Sequence, residues 1–178
     1  MKRVLCIVLS MIIMLTCAMA ICEDTQELNN TAFDIKCESL PDDYALQIIQ
    51  QNNMTIIANI LSSQTNMPKM ELMITFNVDI DGAIELSDVS ADNLQAIKDS
   101  YSEEYNNLNF ETKEITTETQ LLIAKAAGGT DAFVYTVHEG NEIEIHLVPG
   151  ETQETLTNDD IDRVVTILNN MKFVPIEL

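Results

Sequence analysis

Apolar residues follow two periods along the chain, and the switch between them divides it into strands and helices. In AFDIKCESLP, Phe33, Ile35 and Cys37 fall on one face of a predicted strand that Pro41 must end. DDYALQIIQQNN reads as a short helix, with Asp42 as N-cap and Tyr44, Ile48 and Ile49 toward the core. MTIIANIL is β-branched and nearly continuous, which predicts a strand buried on both faces or close to it. After the turn SQTNMPK, MELMITFNVDI alternates Met70, Leu72, Ile74, Phe76 and Val78 against Glu71, Met73, Thr75 and Asn77, the pattern of a second strand.

From Ser90 onward the spacing changes. Leu94, Ile97, Tyr101, Tyr105 and Leu108 draw one helical stripe, which Ser90 or Asp88 can cap. NFETKEI and ETQLLIAKA are predicted strands either side of a Thr-rich turn, and Gly128-Gly129 closes the second. AFVYTVH and EIEIHLV form a hairpin about Glu139-Gly140-Asn141-Glu142. Thr157 to Asp160 make a capping-box-like start to a last helix. Its buried face is Ile161, Val164, Val165, Leu168 and Met171, with Lys172 at the end favoured by the helix dipole. Strands, hairpins and helices in this irregular order predict an α+β fold around a mainly antiparallel sheet.

The N-terminus changes the picture of where the protein goes. Lys2-Arg3, the apolar run Val4 to Cys17 and the small residues of Ala18-Met19-Ala20 are the parts of a secretory signal peptide, in order. Ser10, Thr16 and the following Glu23 and Asp24 argue against a membrane span, which needs about 20 apolar residues. Cleavage after Ala20 is expected, leaving residues 21–31 as a polar, flexible lead and residues 32–178 as one domain. The alternative is a lipid anchor. Bacterial lipoprotein signals also end at a cysteine but place a small residue before it, whereas Ile21 precedes Cys22 and Thr16 precedes Cys17. Cys22 and Cys37 would then be the mature cysteines, in a compartment that permits disulfides. A bridge between them would contribute about 3 kcal/mol in the chain-entropy model.

Loss of residues 1–20 removes two basic residues and no acidic ones, taking the formal charge from -20 to -22. So acidic a surface repels nucleic acid and anionic lipid heads, which excludes them as favoured partners. It attracts cations or basic partners, or serves only solubility.

In the order of these elements the chain resembles small bacterial secreted domains of the PsbP-like (DcrB-like) fold. The likeness covers residues 32–175. It is carried by the phenylalanine-led strand before ESLPDDY, the QQNNMTIIANI segment, the SDVSADNLQAIKDSYSEEY helix, the strands separated by Gly-Gly and the closing LTNDDIDRVVTILNNMKF helix. The resemblance implies an α/β/α sandwich, a mainly antiparallel sheet flanked by helices, found in exported proteins and lipoproteins of the cell envelope. In its photosystem branch the fold serves assembly or calcium and chloride retention. No functional residue carries over, and Tyr44 stands where relatives often have tryptophan.

Candidate chemistry is sparse. In NVDIDGAIELSD, the residues Asn77, Asp79, Asp81, Gly82, Ile84 and Asp88 occupy places one, three, five, six, eight and twelve of an EF-hand-like calcium loop. Val78 and Ile80 instead continue the preceding alternation, so a strand end with an Asp-Gly turn is the competing reading. His138 and His146 lie on one hairpin. If Val137 faces Ile145, both share a face with Glu144, a zinc-like set; a one-residue slip separates them. No G-x-S-x-G, H-E-x-x-H, phosphate loop or C-x-x-C is present. Acid pairs such as Asp159-Asp160 and Glu103-Glu104 are adjacent on helices and point apart, and the methionines Met54, Met67, Met70, Met73 and Met171 read as core filling. The expectation is a noncatalytic envelope or extracellular domain, with no cofactor and no membrane insertion after cleavage, that binds a protein or assists an assembly through a sheet face or edge strand. The alternative is a calcium-responsive module at residues 77–88.

Overall fold

The structure, a computed structural model, describes backbone for residues 32–37, 40, 44–115 and 119–176 and side chains for 40, 44–115 and 119–171. The signal, the lead, Cys22, the Asp42 cap and the side chains of Cys37 and Lys172 lie outside those residues. The strands are β1 (Ala32–Cys37), β2 (Tyr44–Gln51), β3 (Thr55–Ser62), β4 (Lys69–Thr75), β5 (Leu108–Glu114), β6 (Gln120–Ala126), β7 (Ala132–His138), β8 (Asn141–Val148) and β9 (Met171–Ile176). Two helices, α1 (Ala91–Glu104) and α2 (Asn158–Asn169), complete the regular structure together with a short 3-10 turn at Leu86–Asp88. Residues Thr31–Leu178 form one compact unit.

Seven strands make one sheet in the order β2-β3-β4-β8-β7-β6-β5, with every neighbouring pair antiparallel. β1 and β9 pair antiparallel as a separate ribbon, Ala32 opposite Ile176 and Cys37 opposite Met171. The fold is therefore α+β.

The period of two decides which residues reach the core. Ile56, Ala58 and Ile60 of β3, Met70, Leu72 and Ile74 of β4, and Ile143, Ile145 and Leu147 of β8 share one face, which Ile161, Val164 and Ile167 of α2 cover. Full burial of each such aliphatic side chain is worth about 1.5–3 kcal/mol. The opposite face carries Leu122, Ala124, Phe133, Tyr135 and Val137, and there Leu94, Ile97 and Tyr101 of α1 pack together with Leu86 and Val89. One helix thus covers part of each face. Both helices start as the sequence predicts. Ser90 Oγ accepts the Asn93 N–H at 3.3 Å, and Thr157 with Asp160 closes a capping box.

Five expectations need correction. The helical stripe from Leu94 stops with α1 at Glu104, leaving Tyr105 as its C-cap and Leu108 in β5. The predicted helix DDYALQIIQQNN is strand β2: Asn52 Oδ1 accepts the N–H groups of Met54 and Thr55, both at 2.8 Å, and that turn folds β2 back on β3. Helical spacing had grouped Tyr44, Ile48 and Ile49, but pairing with β3 overrides so short a stripe. Only Tyr44 is buried; Ile48 and Ile49 are 38% and 57% exposed, with a bulge between Ile48 and Gln50. β3 is buried on one face and not on both, since Ile57 and Asn59 are half-buried and Leu61 is exposed. β4 stops at Thr75 because Asn77 turns to φ 53, so the alternation through Val78 and Ile80 does not continue as strand. Last, α2 ends at Asn169, and Met171 and Lys172 belong to β9. The deepest residues of α2 are Ile161, Val164 and Ile167, with Val165, Leu168 and Met171 packed at the margin of the core.

Gly150 is required by a close approach. A Cβ there would overlap the carbonyl oxygens of Met67 and Thr65, the latter at 2.6 Å, where the loop after β8 crosses the β3–β4 turn. Because both obstacles are backbone, Gly150→Ala is expected to lower stability by about 2–4 kcal/mol, measured by denaturant unfolding. A change under about 0.5 kcal/mol would show that these loops give way freely.

Candidate functional site

The calcium-like loop follows β4. Asn77 donates its backbone N–H to Asn141 Oδ1 at 3.1 Å. Asp79 Oδ1 accepts the Gly82 N–H at 3.1 Å, and Asp88 Oδ2 accepts those of Glu85 and Ile84 at 3.0 and 3.3 Å. Asp81 Oδ2 accepts the Ser90 N–H and the Asn93 side-chain N–H at 3.3 and 2.7 Å. Hydrogen bonds from Ser90, then Asn93, hold the Asp81 carboxyl below its ordinary range. Each of the three aspartates thus fastens a different turn, two at the Asp79–Gly82 and Glu85–Asp88 turns and one at the start of α1. Among the described residues no group of three or more His, Cys, Asp or Glu is placed to hold a metal ion.

The two histidines part company. Glu139 and Gly140, at φ 51 and 72, form a two-residue turn, which sets Val137 opposite Glu142, Tyr135 opposite Glu144 and Phe133 opposite His146. The expected pairing of Val137 with Ile145 assumed a loop of odd length, and the actual turn shifts the register so that His138 and His146 face opposite sides of the sheet. His138 Nδ1 meets Glu85 Oε1 at 2.9 Å and ties the loop after β4 to β7. His146 Nε2 meets Asp131 Oδ1 at 3.0 Å while its ring stacks on Phe133, centroids 4.4 Å apart.

The same register brings together two acids of β8 and two tyrosines from different elements. Glu142 and Glu144 are two apart on β8, so both point to the α1 side, beside Tyr135 of β7 and Tyr101 of α1. The Tyr101 hydroxyl donates to Glu144 Oε2 in a short hydrogen bond. Burial is the main cause that pushes the Glu144 carboxyl up to about 7; Tyr101 opposes it, and the nearby charges of Glu142, Glu104 and Glu71 add to it. Burial likewise raises Glu142, against the Tyr135 hydroxyl. The phenols are raised too, Tyr101 and Tyr135 well above the usual range and Tyr105 up to about 12, burial leading in each. Tyr135 is buried with its hydroxyl beside Glu142 but without a hydrogen bond of normal geometry. The cluster therefore clamps α1 to the central strand through a carboxyl that changes charge near neutrality. The sequence signal that could have found it is the EIEIH alternation on a strand whose predicted neighbours are apolar.

The Glu144 effect has a definite sign. Its folded-state pKa, about 7, lies above the ordinary 4.5, so its contribution to stability is complete below 4.5 and is lost as pH rises through 7. Glu144→Gln is expected to match the parent near pH 4, below the unfolded value, and to exceed it at pH 8 by about 1–3 kcal/mol, after allowance for partial exposure. Thermal and urea unfolding at both pH values check this; a difference independent of pH would contradict it.

A second feature lies at the sheet edge. Residues 44–68, from Asp43 to Lys69, are the longest uncharged run in the chain, 25 residues. They build β2, β3 and both flanking turns. Among the described residues, β3 is the only strand paired with β2. Ile48, Ile49, Met54 and Leu61 of this hairpin are exposed, and the remaining exposed large hydrophobic among the described residues is Ile84. The opposite edge, β5, carries Glu111, Lys113 and Glu114, with ion pairs Lys113–Asp162 at 2.5 Å and Lys125–Glu111 at 2.7 Å. Edge strands are usually guarded in this way by charge. No helix among the described residues is long and apolar enough to cross a membrane. In comparison with known proteins, the chain matches no family model, no curated protein and no solved structure.

Proposed function

We propose that this is a noncatalytic exported domain that engages another protein chain through the β2–β3 edge. Residues 1–20 direct export and are removed after Ala20, and residues 32–178 are an α/β/α sandwich of the PsbP-like kind in the cell envelope or outside the cell. Supporting the sandwich are the helix on each sheet face and the closing capped helix. The observation that carries the function is the uncharged, apolar edge hairpin in a chain of net charge -20. An edge strand offers main-chain hydrogen bonds to an incoming strand, and its alternate side chains select the partner. A charge anywhere on that edge would discourage pairing, and this edge has none.

A photo-crosslinking amino acid at Ile49, compared with one at the equally exposed Ile84, tests the reading in cells that export the protein. Ile49 is expected to give a discrete adduct of defined mass that Leu61→Asp abolishes. Identical adduct patterns at Ile49 and Ile84 would overturn it.

A further inference from the structure

We infer that the chain seated on β2 is a second copy of this protein, paired antiparallel strand to strand across a two-fold axis. The inference rests on the reading of β2–β3 as the contact surface and adds the identity of the occupant. Three observations favour a like partner.

The first is charge. At -20, two copies repel each other over most of their surfaces. The hairpin 44–62 is where they approach without setting acid against acid, because neither β2 nor β3 holds a charged residue.

The second is self-complementarity. Two-fold pairing puts each residue of a strand opposite one from the same short segment, so a charge at the midpoint of β2, beside Gln47, would meet its own copy across the axis. β2 offers instead Tyr44, Ala45, Leu46, Gln47, Ile48, Ile49 and Gln50. A glutamine amide has both donors and an acceptor, so it can bond to an identical amide. Exposed Ile48 and Ile49 add apolar area that the monomer leaves in water.

The third is closure. Head-to-tail addition of β2 to the far edge of another copy would set this neutral strand on β5, whose lysine is already held by Asp162. β2 on β2 uses the unguarded edge of both copies and stops at two. One hairpin edge buries less than the roughly 1,200 Å² of a stable interface, so the dimer is weak and concentration-dependent. The bulge at Ile48/Gln50 limits the length of pairing in the same direction.

Analytical ultracentrifugation of the purified protein from about 10 μM to about 1 mM, at low and high salt, tests this. The expected result is a monomer–dimer equilibrium that strengthens with salt, as screening relieves the acidic repulsion. Gln47→Lys lowers the net negative charge of each copy and yet is expected to weaken the dimer at least about tenfold, because the two lysines meet near the axis. Gln47→Thr, uncharged and suited to a strand, is expected to leave it within about threefold. Monomer at every concentration and salt, or a dimer indifferent to Gln47→Lys, overturns the inference. The adduct at Ile49 separates this failure from that of the wider reading: a monomeric protein that still crosslinks there to a chain of different mass has the contact surface but not the like partner.

Discussion

Charge is the constraint around which this fold is arranged. With 29 acidic residues against 9 basic ones, most of the surface repels itself. The chain can pack only by giving its acids outward positions, amide partners or a proton. β8 poses the problem most sharply. Its Ile143, Ile145 and Leu147 join the core under α2, while Glu142, Glu144 and His146 alternate with them toward α1. Because β8 lies between β4 and β7, it cannot move those acids to solvent without losing the sheet's central ladder.

Two of these acids are therefore tolerated through their surroundings. Tyr101 reaches down from α1 to Glu144, and Tyr135 lies beside Glu142. The cost of an ionised carboxylate in such a site exceeds what one phenol returns, which is why burial dominates and the Glu144 carboxyl stays protonated into the neutral range. Elsewhere the acids find fixed donors. Asp160, third residue of α2, accepts the Thr157 N–H and pairs with Arg163, and Asp79, Asp81 and Asp88 each take backbone N–H groups in successive turns. In this structure the three aspartates of residues 77–88 each fasten a turn.

The sequence made much of this visible. Ser90 and Thr157 mark the helix starts, and the strict alternation from Met70 to Ile74 and from Glu142 to Leu147 gives β4 and β8 directly. Tyr44 to Gln51 was illegible because Tyr44, Ile48 and Ile49 fit a helical stripe as well as a strand, and only the Asn52 turn and the β3 ladder decide between them. The histidine geometry depended on the register of the β7–β8 turn: Val137 lies opposite Glu142 and not Ile145, and an odd shift of this kind puts His138 and His146 on opposite faces. The Glu142–Glu144 cluster was hidden for another reason: burial by α1 is a tertiary fact, and charged residues on alternate positions normally mean solvent. The uncharged run 44–68 was plain in the sequence, but its place at a sheet edge was not.

Neutrality at one edge of an acidic protein is thus the claim on which the functional account stands. Hydrogen exchange of the backbone amides at both sheet edges measures it most directly, in dilute protein and again at high concentration in high salt. The account predicts that amides of Tyr44–Gln51 become slower to exchange on concentration, while those of Leu108–Glu114 keep their rates. Equal, concentration-independent exchange at both edges would contradict it.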